Sequence, residues 1–230
     1  MVLAAGRGRR LKPLSDTLPK PLLKIAGRTL LDRTLDRLVE AGIKDVVVNL
    51  HYLGEKIREH LNKRNEVKIT YSEEVELLET GGSLLNALSY FEDEPFFVVN
   101  GDVLWQDDGG PALSRLVRAW DDTIMDGLLL VQPIARAIGY DGKGDFEMDK
   151  TGHLERKQAD IAAFVFTGIQ LLHPRLFAKS PKGRFSLNLL YDQALSAGRL
   201  FGLTHEGPWY HIGTMDGLAL AETRFQEKPV

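Results

Sequence analysis

An α/β fold, with a Rossmann-like, mostly parallel sheet covered by helices on both faces, is predicted by three features of the chain. Residues 29–41 carry Leu30, Leu31, Thr34, Leu35, Leu38 and Val39 at helical spacing, and Gly42 stops the pattern. A β-branched run, Asp45–Leu50, follows directly, and residues 95–100 form a second apolar run long enough only for a buried strand. Strands separated by helices need crossover connections, and crossovers place neighbouring strands parallel with helices against both faces.

The elements follow in order. A short apolar strand ends at Leu3 and opens into a glycine loop; the helix over 29–41 and the strand over 45–50 complete a βαβ unit. A helix is expected around residues 53–62, a strand over 67–72, a helix over 82–88 and the buried strand over 95–100. Residues 134–143 read as an irregular loop, 144–148 as extended, and 164–169 as a further strand leading to Leu171, Leu172, His173 and Pro174. In such a sheet, ligands sit at the carboxyl ends of the strands.

Composition narrows the function classes. The chain has 230 residues, 43% hydrophobic and 27% charged, enough for one sizeable core or a core with a small lobe. With no cysteine, thiol nucleophiles, disulfides and thiolate metal sites are excluded. A formal net charge of -3 argues against a nucleic-acid binder, and no stretch approaches a membrane span or a signal peptide. A soluble cytoplasmic protein is expected.

The loop after the first strand is where chemistry concentrates. Gly6 and Gly8 permit backbone conformations that let the amides of residues 5–10 turn toward an anion. Arg7, Arg9 and Arg10 stand among them, and Lys20 follows between Pro19 and Pro21. Guanidinium forks and an ammonium point charge suit phosphate oxygens, so the segment reads as a triphosphate cradle. It is not a dinucleotide fingerprint, because Leu11 occupies the third glycine position, and the Walker pattern is absent.

Further on, Asp102 lies just past a buried strand and beside Gly101, well placed to hold a divalent cation against phosphates; a turn aspartate capping the next segment is the plainer alternative. The turn at residues 78–82, LETGG, is a second glycine turn before a helix, and Thr80 or Ser83 would serve there as a simple cap.

The stretch LAAGRGRRLKPLSDTLPKPL resembles the signature of the sugar-1-phosphate nucleotidyltransferases, LAAGxGTRLxPLTxxxPKPL, with Arg9 where threonine is common. LETGG, the NGD at 100–102, GDF, FTGI, HPRLF and a WxxIGT ending extend the resemblance over nearly the whole chain. It implies the nucleotide-diphospho-sugar transferase fold and a single domain over 1–230, with a nucleotide-binding part over about 1–132 and a sugar-binding part over about 133–230. Leu3, Ala4, Ala5, Gly6, Gly8, Arg10 and Lys20 would bind the nucleotide, joined by Glu79 and Gly81 at the base. Asn100, Gly144, Asp145 and Thr167 would line the sugar pocket. Arg10, Lys20 and Asp102 would be the catalytic group, with Asp102 binding magnesium, or manganese in its place.

The WxxIGT ending departs from the family's usual WxDxGT, whose aspartate is a second magnesium ligand; this chain has His211 there. Magnesium prefers oxygen ligands, whereas imidazole suits transition metals, so His211 is left as a water-mediated metal contact, a phosphate contact or a hydrogen-bonding residue. The resemblance implies transfer from a nucleoside triphosphate, UTP favoured, to a sugar 1-phosphate, N-acetylmuramic acid 1-phosphate favoured, with pyrophosphate released. Guanylyl transfer to mannose or heptose 1-phosphate is the alternative, and a nucleotide-sensing regulatory subunit the alternative of another class.

Overall fold

The computed structural model of the chain describes residues 1–157 and 159–225. Its first part runs β1 (Val2–Leu3), β2 (Lys24–Ile25), β3 (Arg28–Thr29), α1 (Leu30–Glu40), β4 (Asp45–Leu50), α2 (Gly54–Leu61), β5 (Lys68–Glu73), α3 (Glu79–Ala87), β6 (Phe96–Asn100), β7 (Leu104–Trp105) and α4 (Ala112–Ala119). The second runs β8 (Gly127–Pro133), β9 (Ala137–Ile138), β10 (Phe146–Met148), β11 (Leu154–Arg156), β12 (Phe164–Leu172), α5 (Asn188–Ser196), β13 (Leu200–Thr204), β14 (Trp209–Tyr210) and α6 (Met215–Arg224).

The predicted parallel sheet is present as its first half. β1 lies between β4 and β6, and β5 flanks β4, all parallel. The second half makes the sheet mixed: β12 pairs antiparallel with both β6 and β8, and β13 adds parallel to β8. β7, β14 and β9 form a separate small sheet, with β14 antiparallel to β7 and parallel to β9.

Alternation along the strands explains the two layers of helices. Val46, Val48 and Val99 point to one face, where they bury Leu31, Leu35 and Leu38 of α1, Ile57 and Leu61 of α2 and Leu116 of α4. Val47, Val98, Leu129 and Val131 point to the other, against Leu84 of α3 and Leu190 and Tyr191 of α5. Fully burying one such leucine is worth about 1.5–3 kcal/mol, so the α1 stripe alone fixes which face the helix takes. Thr29 caps α1, its Oγ1 accepting the Asp32 amide at 3.0 Å.

A third cluster positions the site. Leu11, Leu23 and Ile25 pack with Leu104, Tyr210, Ile212 and Ala221. The glycine loop is thereby anchored by its one buried leucine, and the chain's late segment, including α6, is brought under it.

The helix predicted over 82–88 begins three residues earlier, at Glu79. The reason is tertiary: the amides of Gly81 and Gly82 both donate to the Phe185 carbonyl, at 3.0 and 3.1 Å, so the first turn is capped by a distant segment. Neither Thr80 nor Ser83 serves as the cap; the Thr80 hydroxyl accepts the Leu187 amide, and the Ser83 hydroxyl donates to the Glu79 carbonyl. The strand predicted over 164–169 extends to Leu172, with a bulge between Phe166 and Gln170.

Candidate active site

At the carboxyl end of β1 the chain leaves the sheet and winds through three short turns, Arg9–Leu11, Leu14–Asp16 and Lys20–Leu22. Gly8 takes a left-handed conformation, φ 58°, and the Leu11 amide donates to its carbonyl at 2.9 Å. A Cβ there would also lie 3.3 Å from the Cβ of Lys20, so glycine lets the loop close down on the lysine. Arg10 is exposed and makes no ion pair among the described residues. Arg9 likewise has none, whereas Arg7 lies 6.0 Å over the Tyr52 ring. Unpaired guanidinium groups on an amide-rich loop are what a polyanion site requires.

Lys20 is delivered from the next turn. Buried Pro21 and Leu22 hold its backbone, and its Nζ lies 2.6 Å from Asp102 Oδ2. Asp102 reaches this place because the Gly101 amide donates to the Leu3 carbonyl at 2.8 Å, where a Cβ would press to 3.0 Å from that same oxygen. The strand end, the glycine loop and the lysine turn thus converge on one carboxylate.

Two adjoining cavities share Arg10, Lys20 and Asp102. The first, about 300 Å³, is walled by Leu3, Ala4, Gly6, Gly8 and Gly213. The second, about 260 Å³, takes in Asn100, Asp145, Thr167, Tyr140, Trp209 and His211. A polyanion in the first and a polar ring in the second would meet at the shared lysine and carboxylate.

Most of the residues expected from the sequence are brought together here, in two kinds of role. Asn100 lines the second cavity directly. Asp145 Oδ2 accepts the Phe166 amide at 2.9 Å, and the Thr167 hydroxyl donates to the Leu130 carbonyl at 2.7 Å, so both also fix the bulge in β12. Gly144, φ 71°, donates its amide to the Tyr140 hydroxyl and lets the chain pass within van der Waals limits of the Phe164 carbonyl. Ala5 is buried at the base of the loop.

Glu79 and Gly81 stand apart from both cavities. Glu79 Oε1 accepts from Arg184 at 2.6 Å, and a Cβ on Gly81 would fall 2.3 Å from the Phe185 ring. In this conformation their local task is to seat α3 against the 184–187 segment.

His211 faces the second cavity beside Tyr140 and Trp209, with ring centroids 5.3 and 5.9 Å away. Burial, reinforced by the charges of Lys20 and Arg10, pushes its pKa below the ordinary histidine value, so the ring is neutral at pH 7. Its Nε2 turns back on Gly213, where a Cβ would be only 1.9 Å away. Among the described residues no group of three or more histidine and acidic side chains converges as a protein-built metal cage. Magnesium does not need one, since it binds through one or two carboxylates plus substrate phosphates and retains waters; Asp102, paired here with Lys20, is among the described residues the one carboxylate at the wall the two cavities share.

Sequence reasoning missed Tyr140 and Trp209, which wall the second cavity, and Asn49 and Glu74 beneath the first loop. Tyr140 sat in a segment read as irregular, and Trp209 was visible only as part of a motif. Asn49 and Glu74 carry no local signal, because their meaning lies in pairing across strands.

An α/β sheet whose first strand ends in a cationic glycine loop, with a carboxylate and a second, polar cavity beside it, defines a phosphate-handling transferase site. The nucleotidyl transferase family model matches residues 1–228, and the chain belongs to that family. Its members transfer a nucleotide to a sugar 1-phosphate, and this chain is a nucleotidyltransferase. It is 37% identical over 233 residues to N-acetylmuramate alpha-1-phosphate uridylyltransferase of Caulobacter vibrioides, covering 99% of this chain and 96% of that relative. Identity to the enzyme of the same name from Neisseria meningitidis serogroup B is 33% over 226 residues, with 96% of each chain covered. Among solved structures, HddC from Yersinia pseudotuberculosis superposes with a TM-score of 0.78 at 25% identity, over 98% of both chains. No helix among the described residues is long and apolar enough to cross a membrane.

Proposed function

We propose that the chain transfers a uridylyl group from UTP to N-acetylmuramic acid 1-phosphate. The whole-length identity to two uridylyltransferases of that specificity carries the choice of substrate pair. Two adjoining cavities support a two-substrate reading, in which the triphosphate lies over the loop of residues 4–10 and the sugar against Asn100, Asp145, Thr167 and Tyr140. On this reading residues up to about 132 form the nucleotide part, and the rest the sugar part, of one domain.

In the reaction a phosphate oxygen of the sugar 1-phosphate attacks the α-phosphorus of the nucleotide in line. The new P–O bond forms as the bond from the α-phosphorus to its bridging oxygen breaks, and pyrophosphate leaves with that electron pair. Arg10 and Lys20 neutralise the charge on the leaving group, and the amides around Gly6 and Gly8 hold the phosphates in place. No covalent enzyme intermediate is required, so positioning and preorganised charge carry the rate. Asp102, freed from Lys20 when the phosphates arrive, would hold a divalent cation, magnesium or manganese, which supplies further charge neutralisation.

A matrix of nucleoside triphosphates against sugar 1-phosphates, scored by pyrophosphate release, tests this directly. UTP with N-acetylmuramic acid 1-phosphate is expected to give the highest kcat/KM. A preference for GTP with mannose or heptose 1-phosphate would replace it with guanylyl transfer. Absence of turnover with every pair would point to a nucleotide-sensing regulatory subunit.

A further inference from the structure

Two buried polar side chains connect the loop that the proposed function assigns to the triphosphate with the LETGG turn, which lies outside both cavities and which the family resemblance assigns to the base. Asn49, at the end of β4, is 2% exposed, and Glu74, just beyond β5, is 6% exposed. The Ala4 amide donates to Asn49 Oδ1 at 2.7 Å, Asn49 Nδ2 donates to Glu74 Oε1 at 2.7 Å, and the Leu78 amide donates to Glu74 Oε2 at 3.0 Å. The chain of bonds therefore runs from the first residue of the glycine loop to the residue preceding Glu79.

Its position explains its composition. Leu3 is the last residue of β1 paired with β4, opposite Asn49, so Ala4 has left the ladder and its amide would otherwise be buried without a partner. An amide side chain relays a hydrogen bond, accepting at its oxygen and donating at its nitrogen. Because both ends of this chain are backbone N–H groups, one member must accept at both of its oxygens, and only a carboxylate can. Glu74 fills that place and, among the described residues, has no salt bridge to explain it as half of an ion pair. Its backbone is pinned as well, its amide donating to the Leu50 carbonyl at 2.9 Å and its carbonyl accepting from His51 Nδ1 at 2.9 Å.

We propose that Asn49 and Glu74 are positioning residues that lock the phosphate loop and the LETGG turn into one nucleotide-binding unit, so that the two are ordered together. The inference rests on the reading that both loops contact the nucleotide. The carboxylate is required for its two acceptor faces and not for its charge at that exact spot.

The hydrogen-bond logic gives a test that separates positioning from bulk stability. Glu74→Gln sets a donor against a donor somewhere in the chain, and Asn49→Asp alone sets one carboxylate against another. The double variant Asn49→Asp with Glu74→Gln restores every bond with the carboxylate moved one place along: Ala4 N–H and the Gln side-chain amide both donate to the new Asp, and Leu78 N–H donates to the Gln carbonyl. For the full-length protein we expect Glu74→Gln to lower kcat/KM for the nucleotide by about five- to 150-fold, the range that the cost of a buried unmatched donor sets. The KM for the sugar phosphate should stay within about twofold, and the double variant should recover to within about threefold of wild type. Hydrogen exchange without any ligand should show faster exchange in residues 4–10 and 78–82 together in Glu74→Gln, and recovery of both in the double variant.

Wild-type nucleotide kinetics in Glu74→Gln, equal losses for both substrates, faster exchange confined to 78–82, or a double variant no better than the single would each overturn the inference. Should Glu74→Gln not fold, the double variant decides alone: near-wild-type kinetics and exchange support the lock, and their loss refutes it. If the wild type itself turns over no substrate pair, the proposed function fails while the exchange comparison still decides the lock.

Discussion

At the scale of single residues, the site is a small set of charges converging on Asp102. Arg10 has no ion-pair partner among the described residues, whereas Lys20 is held 2.6 Å from Asp102 and must exchange that carboxylate for an incoming phosphate. Removing one preorganised donor typically costs about 10²–10³ in rate, and Arg10→Ala and Lys20→Ala are each expected to fall by that amount in kcat/KM with unchanged melting temperatures. Near-normal rates in both would remove the cradle from the mechanism. Asp102→Asn should abolish turnover supported by a divalent cation, because a neutral amide is a poor ligand for a hard cation. His211, neutral and turned back toward Gly213, is expected to be less critical: His211→Ala should lose less than Asp102→Asn, and His211→Asp should keep or raise magnesium-supported turnover. A dead His211→Asp beside a magnesium-active wild type would show that the imidazole has a task of its own.

At the scale of elements, the second cavity depends on a bulge. Between Phe166 and Gln170 the pairing of β12 with β8 shifts, and Gly168 takes φ 86°. A Cβ there would lie 2.7 Å from both Asn100 Nδ2 and Val103 Cγ1. Gly168→Ala therefore combines a strained backbone with a clash against Asn100 of the second cavity, and is expected to cost on the order of 1–3 kcal/mol in stability. It should raise the KM for the sugar phosphate more than that for the nucleotide; steady-state kinetics with each substrate varied in turn would show it, and equal changes would argue against a sugar role for the bulge. The bulge was invisible in the FTGI segment, which reads as a continuous strand. The strand Asp45–Leu50, by contrast, was read with its observed limits, because a β-branched run bounded by a helix stop leaves little choice.

At the scale of the whole molecule, acid should loosen the fold through its buried histidines. His205 is 1% exposed, its Nδ1 lacks a partner, and its Nε2 lies 3.4 Å from the Pro208 carbonyl. Burial holds its pKa below the ordinary value of 6.5, and burial does the same for His211. The unfolded chain therefore takes up protons at a higher pH than the native one does. Stability is full above about pH 6.5 and declines as pH falls through the interval down to the lowered native values. Urea midpoints measured from pH 7.5 to 5.5 should fall accordingly, and the slope should be shallower in His205→Gln; an unchanged slope would assign the effect elsewhere.

What the sequence alone determined is the part of the protein written in contiguous residues. The alternation of helix and strand, the cationic glycine loop that carries Gly6, Gly8 and Arg10 with Lys20 following, and the placing of Asp102 just past a buried strand all follow from local periodicity, backbone freedom and side-chain chemistry. The tertiary structure decided how those pieces meet. It set β12 antiparallel beside β6, which completes the second cavity, and folded Trp209 and His211 back against Tyr140. It gave α3 its cap from Phe185 and joined Ala4 to Leu78 through Asn49 and Glu74. Periodicity reports which side of an element is buried, but a hydrogen bond between residues tens of positions apart leaves no periodic trace. Those long-range bonds exist only once the burial of apolar faces has brought the strands into register.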